Sequence, residues 1–123
     1  MYRILLVDDD EKIRKLVSRI LQPATAEIVQ AGDDQEGLTI WTWNGPFDLV
    51  VTDLNMPRQN GYEMARRLGK NVPIIFITSE SFGLRDKVDG MKAASDGRIV
   101  VLDKPFKASV LLEQANNLLQ RKH

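Results

Sequence analysis

Four strand-like apolar runs in this chain each end in a side chain able to do chemistry. Tyr2-Arg3-Ile4-Leu5-Leu6-Val7 runs into Asp8-Asp9-Asp10, Phe47-Asp48-Leu49-Val50-Val51-Thr52 into Asp53, Pro73-Ile74-Ile75-Phe76-Ile77 into Thr78, and Ile99-Val100-Val101-Leu102 to within two residues of Lys104. Clustered carboxylates need protons or a cation, since two unit charges about 4 Å apart repel by about 4 kcal/mol at an effective dielectric near 20. An oxygen-only, incomplete cage suits magnesium, which keeps waters and often shares a phosphate oxygen; manganese could substitute. On this reading Asp8 and Asp9 hold the metal, and Asp53 is both metal ligand and nucleophile toward phosphorus. Lys104, a compact charge on a flexible stem, pairs with Asp53 or with the phosphoryl group it acquires, and the Thr78 hydroxyl donates to a phosphoryl oxygen.

This chemistry requires the strand ends to meet. Apolar runs too short to cross a membrane, alternating with amphipathic stretches, indicate an α/β fold with a parallel sheet. Ile13, Leu16, Val17, Ile20 and Leu21 have the spacing of one helix face, with Asp9 or Asp10 to cap it and Pro23 as a stop. The more polar Ala26–Ala31 reads as an edge strand. Asp33-Asp34 caps a helix through Leu38 and Trp41, ended by Asn44-Gly45-Pro46. The third strand runs to Asp53, residues 54–61 form a polar loop, and Tyr62 to Lys70 a short helix. The fourth strand is apolar on both faces and therefore central; Leu84, Val88 and Met91 mark a fourth helix, and Leu111, Ala115, Leu118 and Leu119 a closing one. In a doubly wound sheet of order 2-1-3-4-5 the first and third strands are neighbours at the switch point, where ligands bind.

Composition excludes several other classes. At 123 residues the chain fits one domain, 1–123, with no repeat or linker. It has no cysteine, so neither a disulfide framework nor a thiolate metal site is available, which suits a cytoplasmic protein. Lys+Arg and Asp+Glu both number 17, so overall charge favours neither nucleic acid nor a membrane surface. Each polar strand end also has a structural reading as a cap or turn former. The joint pattern, four elements contributing to one sheet edge, favours function.

The order Val7-Asp8-Asp9, then Asp53-Leu54-Asn55-Met56-Pro57 with Gly61, then Thr78-Ser79-Glu80, then Lys104-Pro105-Phe106 resembles the receiver domain of bacterial two-component response regulators, along essentially the whole chain. The resemblance implies a flavodoxin-like (βα)5 sandwich and a phosphoacceptor switch rather than an enzyme acting on a separate substrate. Asp53 would take its phosphoryl group from a sensor histidine kinase or histidine phosphotransfer protein and lose it by slow self-catalysed hydrolysis. Asp8, Asp9, Asp53 and the backbone carbonyl of Asn55 would hold magnesium. Thr78 would be the switch hydroxyl, Lys104 the phosphate-pairing lysine, and the Lys104–Pro105 bond cis. A downstream protein would read the face made by the fourth helix, fifth strand and fifth helix, from a monomer or a weak phosphorylation-dependent dimer.

Three features depart from the family pattern. Val101 stands where an aromatic residue is usual, three positions before the lysine; residues 93–98 replace a shorter turn; and Asp103, expected to be solvated and turned away from the pocket, sits beside Lys104. Rival readings fit less well. A flavodoxin-like carrier needs small residues, not three acids, at its first phosphate loop. A haloacid-dehalogenase-like phosphatase carries its nucleophile after the first strand, and a pseudo-receiver would lack an acid, the acceptor or the lysine. Trp41 and Trp43 lie two apart on one helix, so one must be partly exposed. Met56 and Pro57 shape the loop beside Asp53, and His123, the sole histidine, lies at a terminus unsuited to catalysis.

Overall fold

A computed structural model describes residues 1–55, 61–69, 71–79 and 84–121. Its elements alternate: β1 (Tyr2–Val7), α1 (Glu11–Leu21), β2 (Ala26–Ala31), α2 (Asp34–Asn44), β3 (Leu49–Asp53), α3 (Gly61–Leu68), β4 (Ile74–Thr78), α4 (Leu84–Ala93), β5 (Ile99–Asp103) and α5 (Ala108–Gln120), with a 3-10 turn at Gln22–Ala24. The strands pair in parallel in the order β2-β1-β3-β4-β5, the flavodoxin-like topology expected, with the polar β2 at an edge.

Side-chain alternation along the strands divides the core into two layers. Leu5, Val7, Val50, Ile74 and Phe76 pack with Met64 of α3 and Val88 of α4. Ile4, Leu6, Leu49, Val51, Ile75 and Ile77 pack with Val17 and Leu21 of α1 and with Leu111, Ala115, Leu118 and Leu119 of α5. β3 and β4 are buried throughout, as strands covered on both faces must be. Asp10 caps α1 by accepting from the Lys12 amide at 2.9 Å, and Asp33 caps α2 by accepting from the Glu36 amide at 2.7 Å.

Some sequence expectations are corrected. Leu16, assigned to the buried face of α1, is 46% exposed, because the face turned to the sheet centres on the fully buried Val17 and Leu21, and Leu16 lies about 100° round the helix from Val17, on the side away from Leu21. Leu54, assigned to a polar loop, is fully buried, and Gly61 is the first residue of α3. Trp41 is half-buried and stacks on Phe47 with centroids 6.0 Å apart, whereas Trp43 is 80% exposed. Met56, Pro57, Lys70, Glu80 and His123 lie outside the described residues.

Candidate phosphoryl-transfer site

Strand register decides which side chains meet. Val7 pairs with Thr52, Asp53 with Ile77 and Thr78 with Asp103, so β1, β3, β4 and β5 end at nearly the same level. Beyond that level the Asp8, Asp9 and Asp53 carboxylates each offer an oxygen, and the three oxygens lie within 4.8 Å of one another. Asp8 and Asp53 are buried, Asp9 exposed, so the cluster opens to solvent on one side.

Burial dominates the electrostatics. It lifts the Asp8 carboxyl from its ordinary 3.8 to about 6, against the opposing hydrogen bond from the Asp10 amide and with the nearby Asp53 charge adding to the rise. Burial raises Asp53 too, partly offset by the Asn55 amide, which donates to Oδ1 at 3.0 Å, and by Lys104, whose Nζ lies 3.5 Å from Oδ2. Two buried carboxyls held above their ordinary range have much to gain from a cation, and the donor set is all oxygen. The residues present fit magnesium.

The remaining contacts fix the frame. The Lys104 amide donates to the Thr78 carbonyl at 2.8 Å, tying the ends of β5 and β4 together, and the Lys104–Pro105 bond is cis. The Thr78 hydroxyl donates to the Ser79 carbonyl at 2.6 Å. The Asn55 side-chain amide donates both to the Thr78 hydroxyl, at 3.2 Å, and to the Ser79 carbonyl, at 2.8 Å. Arg14 donates to the Asp8 carbonyl at 2.6 Å. Sequence reasoning assigned Asn55 only its backbone carbonyl and gave Arg14 no role. An asparagine amide can serve two acceptors, but these lie 23 and 24 residues along the chain, so nothing local marks which two it serves.

The chain is similar to known proteins along nearly its full length. The model of the response regulator receiver domain matches residues 4–116. A probable transcriptional regulator, ycf27, of Cyanophora paradoxa is 35% identical over 97% of this chain and 48% of its own length. The response regulator MprA of a Mycobacterium species is 36% identical over 97% of this chain and 51% of its own. Among solved structures, the response regulator TrrA of Thermotoga maritima in complex with Mg2+-BeF superposes with a TM-score of 0.78 at 34% identity, covering 96% of this chain and 99% of that one. The chemotaxis protein CheY4 of Vibrio cholerae gives 0.76 at 31%, covering 96% and 98%. The chain belongs to the response regulator receiver domain family.

It is thus a receiver domain of two-component signal transduction, a family of signalling switches, and it spans about half the length of the curated relatives it matches. None of the described helices is long and apolar enough to cross a membrane. A cleft of about 590 Å³ between α3 and α4, walled by Tyr62, Ala65, Met91 and Ala94, includes none of the strand-end carboxylates. The departures from the family pattern sit on β5 and just before it. Val101 is half-buried against the α2–α4 layer, residues 94–97 make a compact turn with Asp96 and Gly97 at positive φ, and Asp103 is exposed and paired with Arg85.

Proposed function

We propose that this receiver accepts a phosphoryl group on Asp53 and that Asp8, Asp9, Asp53 and the Asn55 carbonyl hold magnesium, or manganese in its place. The observation that carries this reading is the convergence of three carboxylates within 4.8 Å, with the Lys104 ammonium 3.5 Å from Asp53. When bound, the metal supplies positive charge against which an anionic donor and the developing charge on the phosphoryl oxygens are stabilised.

In the transfer step an Asp53 oxygen forms a bond to phosphorus as the bond to the donor's imidazole nitrogen breaks, leaving an acyl phosphate on Asp53 and a free histidine on the donor. The donor is a phosphohistidine of a sensor kinase or phosphotransfer protein. Slow hydrolysis by water releases phosphate and restores the carboxylate, so the domain is a self-modifying switch with no other substrate. Lys104 exchanges its Asp53 partner for a phosphoryl oxygen, and the Thr78 hydroxyl leaves the Ser79 carbonyl to donate to another.

The added group carries about −1.5 to −2 charges, drawing Thr78 and Lys104 inward and biasing two packings of α4 and β5. Inverting a 1:99 equilibrium takes about 5.5 kcal/mol, more than one hydrogen bond provides, so the metal and lysine contacts must share the work. Residues 1–123 act as a single switch domain in the cytoplasm, as a monomer or weak phosphorylation-dependent dimer, whose α4-β5-α5 face is read by a downstream protein and which itself contacts neither nucleic acid nor membrane.

Intact mass after incubation with a small phosphodonor and magnesium tests the assignment. One phosphoryl group should appear, and chelation or Asp53→Asn should abolish it. A gain that persists in Asp53→Asn would place the acceptor elsewhere.

A further inference from the structure

Adjacent residues at the end of β5 face opposite ways. Lys104 continues the row of Val100 and Leu102, which lies on the α1–α5 side, and reaches Asp53. Asp103 continues the row of Val101, which packs on the α2–α4 side, and meets α4 there. Its Oδ1 accepts from Arg85 Nη1 at 2.6 Å, and Arg85, in the first turn of α4, also lies 3.6 Å from Asp89. Asp103 is at the same time the register partner of Thr78. One peptide unit therefore joins the lysine that pairs with Asp53 to a contact on α4.

We propose that Arg85 and Asp103 are positioning residues whose ion pair holds α4 in the packing of the unphosphorylated domain and couples it to Lys104. The coupling rests on the reading of Asp53 as phosphoacceptor. The pair is formed while the Thr78 hydroxyl is still bonded to the Ser79 carbonyl and Lys104 still pairs with Asp53, so its stabilisation accrues to this resting arrangement. When a phosphoryl group draws Lys104 inward, Asp103 is carried with it and the Arg85 contact must break or shift. Val101 has no ring to swing between buried and exposed positions and is stiff at χ1, so a link through the neighbouring carboxylate takes the place of a rotamer gate. By linkage, a contact belonging to the resting state weakens the binding of anything that favours the other state.

The test uses the whole chain with Arg85→Ala, Asp103→Asn and the double variant. Without any phosphate analogue, amide hydrogen exchange at Val88 to Met91 should rise about two- to five-fold in each single variant, the range expected for a solvent-exposed pair, and no further in the double. With magnesium and beryllofluoride, both single variants should bind the analogue more tightly by a similar factor. Charge alone predicts otherwise: removing the Arg85 cation should weaken binding of an anion and removing the Asp103 charge should strengthen it. Unchanged exchange in α4 overturns the latch, and opposite shifts in affinity, or single effects that multiply in the double variant, overturn the coupling. If the unsubstituted chain fails to bind beryllofluoride, the phosphoacceptor reading fails instead, and exchange alone decides the latch.

Discussion

Asp53 and Lys104 divide the work at the site by their environments. Asp53 is 6% exposed with its carboxyl raised by burial, while the Lys104 side chain is 27% exposed and its cation opposes that rise. Removing Lys104 should therefore move the Asp53 titration to higher pH, followed through its carboxyl carbon resonance in Lys104→Ala. Because Asp53 can respond by holding a proton, the stability cost should stay at about 1 kcal/mol or less, read from denaturant unfolding at pH 7. The amide shifts that accompany phosphorylation should largely vanish from α4. A large loss of stability with those shifts intact would make Lys104 a structural ion-pair partner.

At the scale of elements, the tightest constraint is the approach of α3 to the end of β3. The Gly61 amide donates to the Leu54 carbonyl at 3.1 Å, and a Cβ at Gly61 would stand 2.3 Å from the backbone oxygen of Asp53 and 3.1 Å from the Thr52 hydroxyl. Backbone cannot yield as a flexible side chain can, so either α3 or the strand end must shift. Gly61→Ala should cost about 1–3 kcal/mol in stability, the usual range for forced overpacking, and should slow phosphorylation because the displaced atoms belong to Asp53 itself. Denaturant midpoints and initial rates with a small phosphodonor measure the two effects, and a variant unchanged in both would show that the junction is loose.

For the whole molecule, the buried carboxyls tie stability to pH and metal. In the folded chain Asp8 keeps its proton up to about pH 6, whereas the unfolded chain loses it near the ordinary 3.8. Between those values the native state binds more protons, so metal-free stability should fall as pH rises through the window and level off above it. Burial raises Asp53 in the same direction. Magnesium, which needs the carboxylates ionised, should reverse the trend, raising the melting temperature more at pH 7 than at pH 5. Thermal melts with chelator and with magnesium at both pH values check this, and metal-free stability that rises with pH from 4 to 6 would contradict the assigned electrostatics.

The sequence by itself determined the order of strands and helices, the strand ends and the residue types at the sheet edge. Those follow from local rules: periods of two and 3.6, capping acids, and polar groups that terminate apolar runs. It thereby identified Asp8, Asp9, Asp53, Thr78 and Lys104 as residues that should share one edge, because parallel strands joined by right-handed crossovers leave all their C-terminal ends on the same side. Which side chains touch is a question of register, and register depends on partners far along the chain. Pairing of Thr78 with Asp103, the Asn55 bridge to Thr78 and the exposure of Leu16 had no local signal that separates them from alternatives of equal propensity. Asp103 shows the difference most plainly. It is turned away from the pocket and exposed, as a solvated residue should be, yet only the packing of α4 over β5 supplies Arg85 at 2.6 Å, because a contact between residues eighteen apart exists only once both elements have docked on the same sheet.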